Sequence, residues 1–174
     1  MAATRLEGVA IEDGTGPVAL TVRPATPADL ETVLALRLAL LREACDHPIY
    51  GRLRPDAPLR ARRLFRLQLE SPHEITLLAE AGGQTVGILR CAASQSSPLL
   101  EPERYAYVSS VYVVPTARRT GILRALLRRA GEWCAKQGLG EMRLHSATTA
   151  DANAAWDALG FHVVEHLRIR SVDS

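Results

Sequence analysis

The sequence predicts an α/β fold, and three observations carry that prediction. Short runs rich in β-branched and aromatic residues alternate with longer stretches whose leucines recur every three or four positions. The 174 residues are 47% hydrophobic and 23% charged, enough to bury a core in one domain. No internal repeat or linker divides the chain, so residues 19–174 are expected as a single domain behind a loose N-terminal arm, or an added edge segment, over residues 1–18.

The arm ends in EDGTGPV, whose glycines and proline interrupt any periodicity. ALTVRP at 19–24 reads as a first strand. A helix follows, with Thr26 as its cap, Pro27 at its first position and Asp29 in its first turn. Leu30, Val33, Leu34, Leu38 and Leu41 share one face of it. The polar, proline-rich stretch 47–58 is a loop. A second helix at 57–70 sets Leu59, Leu64, Phe65 and Leu67 against Arg60, Arg62, Arg63 and Arg66. EITLLAE and TVGILRCAA flank AGGQ, a hairpin signal. After a loop at 94–103, YAYVSSVYVV is the next strand. A helix at 121–137 follows, closed by Gly138. EMRLHSA reads as a strand, TADANAAWDAL as a short helix and FHVVEHLRIR as a final strand.

Residues 108–131, VSSVYVVPTARRTGILRALLRRAG, carry the clearest chemistry. Val108, Val111, Tyr112, Val113 and Val114 favour a strand, and Pro115, lacking an N–H, ends it. Gly121 lets backbone approach a ligand at a helix start, where unpaired N–H groups and the helix dipole attract anions. Arg118, Arg119 and Arg124 add forked cationic donors suited to phosphate. The pattern points to a phosphorylated cofactor. An ordinary strand–turn–helix with solvated arginines is the plainer alternative.

With VYVVP ahead of it and ALGF near the C-terminus, this loop resembles motif A of the GNAT superfamily of acyl-CoA-dependent N-acyltransferases. Arg118 and Gly121 match the family's spacing of Arg or Gln, two residues, Gly, one residue, then Gly or Ala. Leu123 stands where the last small residue is expected. The resemblance spans roughly residues 20–170. It implies a central twisted, mixed sheet flanked by helices. Its fourth and fifth strands, counted from 19–24, splay apart to form the slot for CoA. It also implies acetyl-CoA as acyl-donor co-substrate, no metal, and N-acetyl transfer to a small-molecule or peptide amine. A homodimer is a further expectation from the family.

Carried over residue by residue, the resemblance assigns CoA binding to Val111, Val113, Arg118, Arg119, Thr120, Gly121, Ile122, Leu123, Arg124, Thr149 and Trp156. The N–H of Val113 would polarise the thioester carbonyl, a preorganised donor for a developing oxyanion. The family's tyrosine acid maps to Trp156, whose indole does not release a proton at useful pH, and its glutamate base maps near Ser109. Tyr112 from the fourth strand and His145 from the fifth are the catalytic candidates, with Tyr105 and Tyr107 as alternatives. Two-residue alternation places Tyr105, Tyr107 and Ser109 on one face and Tyr112 on the other. Losing both proton-transfer residues leaves a second reading open, a noncatalytic acyl-CoA-binding module. An unrelated phosphate-binding α/β domain is a third.

Composition narrows the partners. A net charge of +2, with Lys136 the one lysine among 21 basic residues, gives no electrostatic case for nucleic acid. No apolar run reaches the length of a membrane span, and no secretory leader pattern opens the chain, so no membrane partner and a cytoplasmic location are expected. Cys45, Cys91 and Cys134 have neither metal nor disulfide spacing and read as small buried hydrophobes in a reducing compartment. The acceptor-side segment offers Arg37, Arg42, Glu43, Asp46, His47, Tyr50 and Arg52. An aminoglycoside site would carry more acid than that.

Overall fold

The computed structural model describes residues 4–9 and 18–172, in two compact units, residues 1–144 and 145–174. In the first, a six-stranded sheet follows chain order: β1 (Thr4–Val9), β2 (Val18–Pro24), β3 (Glu74–Ala81), β4 (Gln84–Gln95), β5 (Arg104–Val113) and β6 (Met142–Arg143). Neighbours are antiparallel except β5 and β6, which are parallel, so the sheet is mixed as expected. Within the segment expected as an arm, β1 pairs with β2, Thr4 opposite Val22 and Leu6 opposite Leu20. Residues 1–3 and 10–17 of that segment lie outside the described residues.

The hairpin between β3 and β4 turns at Gly82 and Gly83, with φ of 58° and 75°. Left-handed backbone at both central residues matches the right-handed twist of the strands, and glycine takes it without strain. The turn sets the register that pairs Leu77 with Leu89 and Leu78 with Ile88. Helix α3 (Ile122–Lys136) covers one face of the sheet. There Leu77, Ala79, Leu89, Cys91 and Val108 meet Ile122, Leu126, Ala130 and Cys134. Helices α1 (Leu30–Glu43) and α2 (Ala57–Glu70) cover the other, packing Val33, Leu34, Leu36 and Phe65 on Leu78, Ile88 and Tyr112. Burial on both faces explains why β3 and β4 read as nearly continuous apolar runs.

A short 3-10 turn at Pro27–Asp29 precedes α1. The Asp29 carboxylate accepts the Thr26 N–H at 2.8 Å and a fork of two bonds from Arg23, each 2.8 Å. Arg23 also donates to Glu80 on β3 at 2.9 Å, so the start of α1 is pinned to the sheet. Cys91 and Cys134 face each other across the core with sulfurs 3.7 Å apart, whereas Cys45 is exposed, against the expectation of three buried thiols.

The second unit holds α4 (Ala150–Asp157), capped by Thr149, whose hydroxyl accepts the Ala152 N–H at 3.4 Å. The strand expected over 161–170 is absent: these residues form neither helix nor strand, and Val164 and Leu167 are exposed. The strand expected from EMRLHSA shrinks to Met142–Arg143. Alternating apolar residues favour extended backbone, but a strand also needs ladder bonds to a neighbour.

Candidate active site

A bulge in β5 shapes the site. Arg90 of β4 lies opposite Ser109 and Ile88 lies opposite Tyr112, so two residues of β5 occupy the space of one. Ser110 takes up the difference with a φ of 54°, a left-handed conformation uncommon for serine. The extra residue reverses the alternation. Tyr112 therefore joins Ser109 on the α1/α2 face, correcting the expectation that it would point the other way, and it is 7% exposed.

Past the bulge, among the described residues, no strand pairs with β5 on the side away from β4. Pairing to β6 covers only Ala106 with Met142 and Tyr107 with Arg143. The Val114 N–H bonds back to Val86 O on β4 at 2.9 Å. One residue earlier, alternation turns the Val113 N–H and C=O away from β4, and Val111 does the same. This is the expected splay, between β5 and β6.

The loop after β5 leaves backbone donors without partners at the start of α3. Pro115–Ala117 make a 3-10 turn, and the Thr120 hydroxyl donates to Ala117 O at 2.7 Å. Arg119 has a φ of 64° and Gly121, capping α3, a φ of 85°. The first helical bond is Ala125 N–H to Gly121 O at 3.0 Å, and no side chain caps the end, so the N–H groups before it lack helical partners. Apart from its own neighbours along the chain, no atom of the described residues lies within 4 Å of where a Cβ on Gly121 would stand. Gly87, which sequence reasoning passed over, brings α3 against β4: a Cβ there would sit 3.0 Å from Ile122 Cγ2 and 3.3 Å from Tyr112 O. Ile122 is buried beneath the loop, and Leu123 packs half-buried on the core of that face. Arg119 and Arg124 are exposed.

Arg118 is engaged within the protein. Its Nε donates to Val113 O at 2.9 Å and its Nη2 to Glu43 at 2.6 Å. The other Glu43 oxygen accepts the Tyr112 hydroxyl at 3.0 Å, and the guanidinium stands 5.6 Å from the centre of that ring. The last turn of α1, the end of β5 and the loop are thereby joined through one carboxylate. Burial, then the Glu43 hydrogen bond, raise the pKa of the Tyr112 phenol, which keeps its proton at neutral pH. Glu43 was visible only as one of several charges on the acceptor side.

Ser109, the position to which the family's base maps, accepts a hydrogen bond from Arg90 Nη1 at 3.1 Å. Burial and the nearby phenols of Tyr50 and Tyr105 push Tyr107 up. In the second unit, His145 is exposed and lies past the end of β6, outside the strand that was expected to carry it. Thr149 is the α4 cap, and Trp156 packs edge-on against Phe161, ring centres 5.3 Å apart at 78°. Tyr112, Val113 and Arg118 are thus brought together, with Glu43 added, while His145, Thr149 and Trp156 belong to the other unit.

The acetyltransferase (GNAT) family matches residues 39–161, from the end of α1 to Phe161. The chain belongs to the GNAT family. It is an acetyl-CoA-dependent N-acetyltransferase. Among curated proteins, this GNAT enzyme is 28% identical over 155 residues to aminoglycoside N(6')-acetyltransferase type 1 of Stenotrophomonas maltophilia, covering 84% of this chain and 89% of the relative. A crystal structure described as a predicted acetyltransferase with acetyl-CoA, from Clostridium acetobutylicum, superposes with a TM-score of 0.71 at 19% identity, over 87% of this chain and 96% of that one. An aminoglycoside antibiotic 6'-N-acetyltransferase from Acinetobacter baumannii superposes with a TM-score of 0.70 at 22% identity, over 89% and 99%. These similarities show the fold.

The GNAT loop fits the diphosphate of acetyl-CoA on its own geometry: open space over Gly121, uncapped N–H groups and two exposed arginines beside them. Among the described residues there is no group of three or more His, Cys, Asp or Glu side chains able to hold a metal, and no helix long and apolar enough to cross a membrane.

Proposed function

We propose that the enzyme moves the acetyl group directly from acetyl-CoA to a primary amine of a small-molecule acceptor, with both held at once. The observation that carries this reading is the open β5 edge running into the uncapped start of α3. The N–H groups of residues 119–124 hold the diphosphate, with Arg119 and Arg124 adding charge from solvent. Val111 and Val113 present backbone to the pantetheine arm, and the Val113 N–H donates to the acyl carbonyl as its oxygen gains charge. Acetyl-CoA supplies an activated thioester, and the protein's contribution is to align it with the amine. Tyr112 holds its phenolic proton beside this strand end, on the face covered by α1.

Direct transfer needs no acyl-enzyme. Cys91 and Cys134 are sealed in the core, and the exposed Cys45 stands in the turn that follows α1. Three thiols with no disulfide suit the reducing cytoplasm, where we place the reaction. Three measurements test the reading. Calorimetric titration with acetyl-CoA should show micromolar binding, weaker for dephospho-CoA, and a panel of amines should release CoA thiol. Cys45→Ser should turn over like wild type; loss of turnover in that variant would replace direct transfer with an acyl-enzyme route.

A further inference from the structure

We propose that Arg37 and Arg90 form a carboxylate-binding subsite on the acceptor face, so that the amine this enzyme acetylates also carries a carboxylate. The proposal deepens the acetyl-transfer reading and rests on it. Arg90 projects from β4 directly opposite Ser109, one residue before the bulge at Ser110, which puts it on the α1/α2 face, across the bulge from the strand end proposed to align the thioester. Its Nε donates to Glu74 on β3, and the two side chains are only 16% and 12% exposed. That pair is mutually neutral and largely out of water.

Arg37 unbalances it. From α1 its guanidinium lies over the Phe65 ring at 3.9 Å, and its Nη1 donates to Gln68 Oε1 at 2.7 Å. Arg37 is half-buried, and among the described residues no carboxylate forms an ion pair with it. Burial first, then the neighbouring Arg90, lower its pKa to about 10, with Glu74 offsetting only part. Two guanidiniums therefore stand near one carboxylate, which is paired with Arg90, in a partly desolvated patch. A cation left there without a counter-ion is costly, and an arriving anion recovers that cost. Arg37 is also held still by the Phe65 ring and Gln68. Its remaining N–H groups keep the planar fork that a carboxylate accepts in two parallel bonds. Tyr107, two residues from Ser109 on the same face, feels both Arg90 and Tyr50 of the α1–α2 loop, so aromatic surface flanks the patch. A polycationic amine would meet like charge at this spot.

The test is a comparison of amino acids with their carboxamides: leucine with leucinamide, phenylalanine with phenylalaninamide, and a dipeptide with its C-terminal amide. Spermidine serves as the polycation. For each, kcat/KM is measured with acetyl-CoA in the full chain. The free acids should exceed the amides by about tenfold or more, the discrimination expected of a charge-assisted bond. The acid-to-amide ratio should fall toward one in Arg37→Met, which keeps the stem over Phe65, and recover in part in Arg37→Lys. Acids no better than amides in the wild type would overturn the subsite, whether or not the variants fold. So would an unchanged ratio in a folded Arg37→Met, or an enzyme that acetylates spermidine and none of the acids; both leave acetyl transfer standing. Failure to bind acetyl-CoA by calorimetry would take down the transfer reading and this one together.

Discussion

Substituting Gly121 separates the ligand cradle from the fold. Its φ of 85° lies in the left-handed region, where a Cβ costs about 1–2 kcal/mol. Nothing stands within 4 Å of that Cβ, so the strain meets no steric addition in the free protein. Gly121→Ala should therefore lower stability by about 1–2 kcal/mol, or about 2–8 °C in Tm for a chain of this size. The same methyl would project into the space over the uncapped N–H groups. Losing even one or two charge-assisted bonds to the diphosphate, each about 1.5–3 kcal/mol, weakens acetyl-CoA by about tenfold or more. Gly121→Val should lose binding altogether. Gly87→Ala is the control of opposite sign. Its methyl would press on Ile122 Cγ2 at 3.0 Å and on the fixed Tyr112 carbonyl at 3.3 Å, so it should damage stability first. Differential scanning calorimetry with an acetyl-CoA titration reads both quantities. A folded Gly121→Val that binds acetyl-CoA like wild type would refute the cradle.

Asp29→Asn should cost about 2 kcal/mol in urea unfolding, since the carboxylate takes a two-bond fork from Arg23 and caps Thr26. Arg23 holds the Asp29 carboxyl well below the usual range, so its folded pKa is depressed. The contribution is then full above the unfolded value of about 3.9 and fades as pH falls through and below it; a wild-type-minus-variant difference that instead grows on acidification would contradict the pairing. Native protein should react with Ellman's reagent at Cys45 alone, and denatured protein at all three thiols, because the Cys134 hydrogen bond and then burial push the Cys91 thiol up and the core seals the pair. Glu43→Ala removes an ion pair with 46% and 42% exposed partners, worth about 0.2–1 kcal/mol, plus the Tyr112 hydrogen bond at about 1 kcal/mol. It should also bring the Tyr112 phenol back toward its ordinary pKa in a spectroscopic titration; an unmoved phenol would mean that Glu43 does not hold it.

The sequence by itself determined what depends on neighbours along the chain. Pro115 and Gly121 bracket the loop because one lacks an N–H and the other tolerates positive φ. The AGGQ turn set the β3–β4 hairpin, and the leucine stripe of α3 announced its buried face. Tertiary structure alone decided what depends on partners far apart in sequence. The bulge that turns Tyr112 toward α1 rests on Ser110, which lies inside a continuous strand-forming run, and it exists because β4 fixes the register on both sides of it. Glu43 reaches Arg118 across 75 positions, so neither residue could be read as the other's partner. FHVVEHLRIR alternates like a strand and is not one, and EMRLHSA yields only two strand residues. Extended propensity is a property of residues, but a ladder is a property of pairs, and only the folded chain supplies the second member.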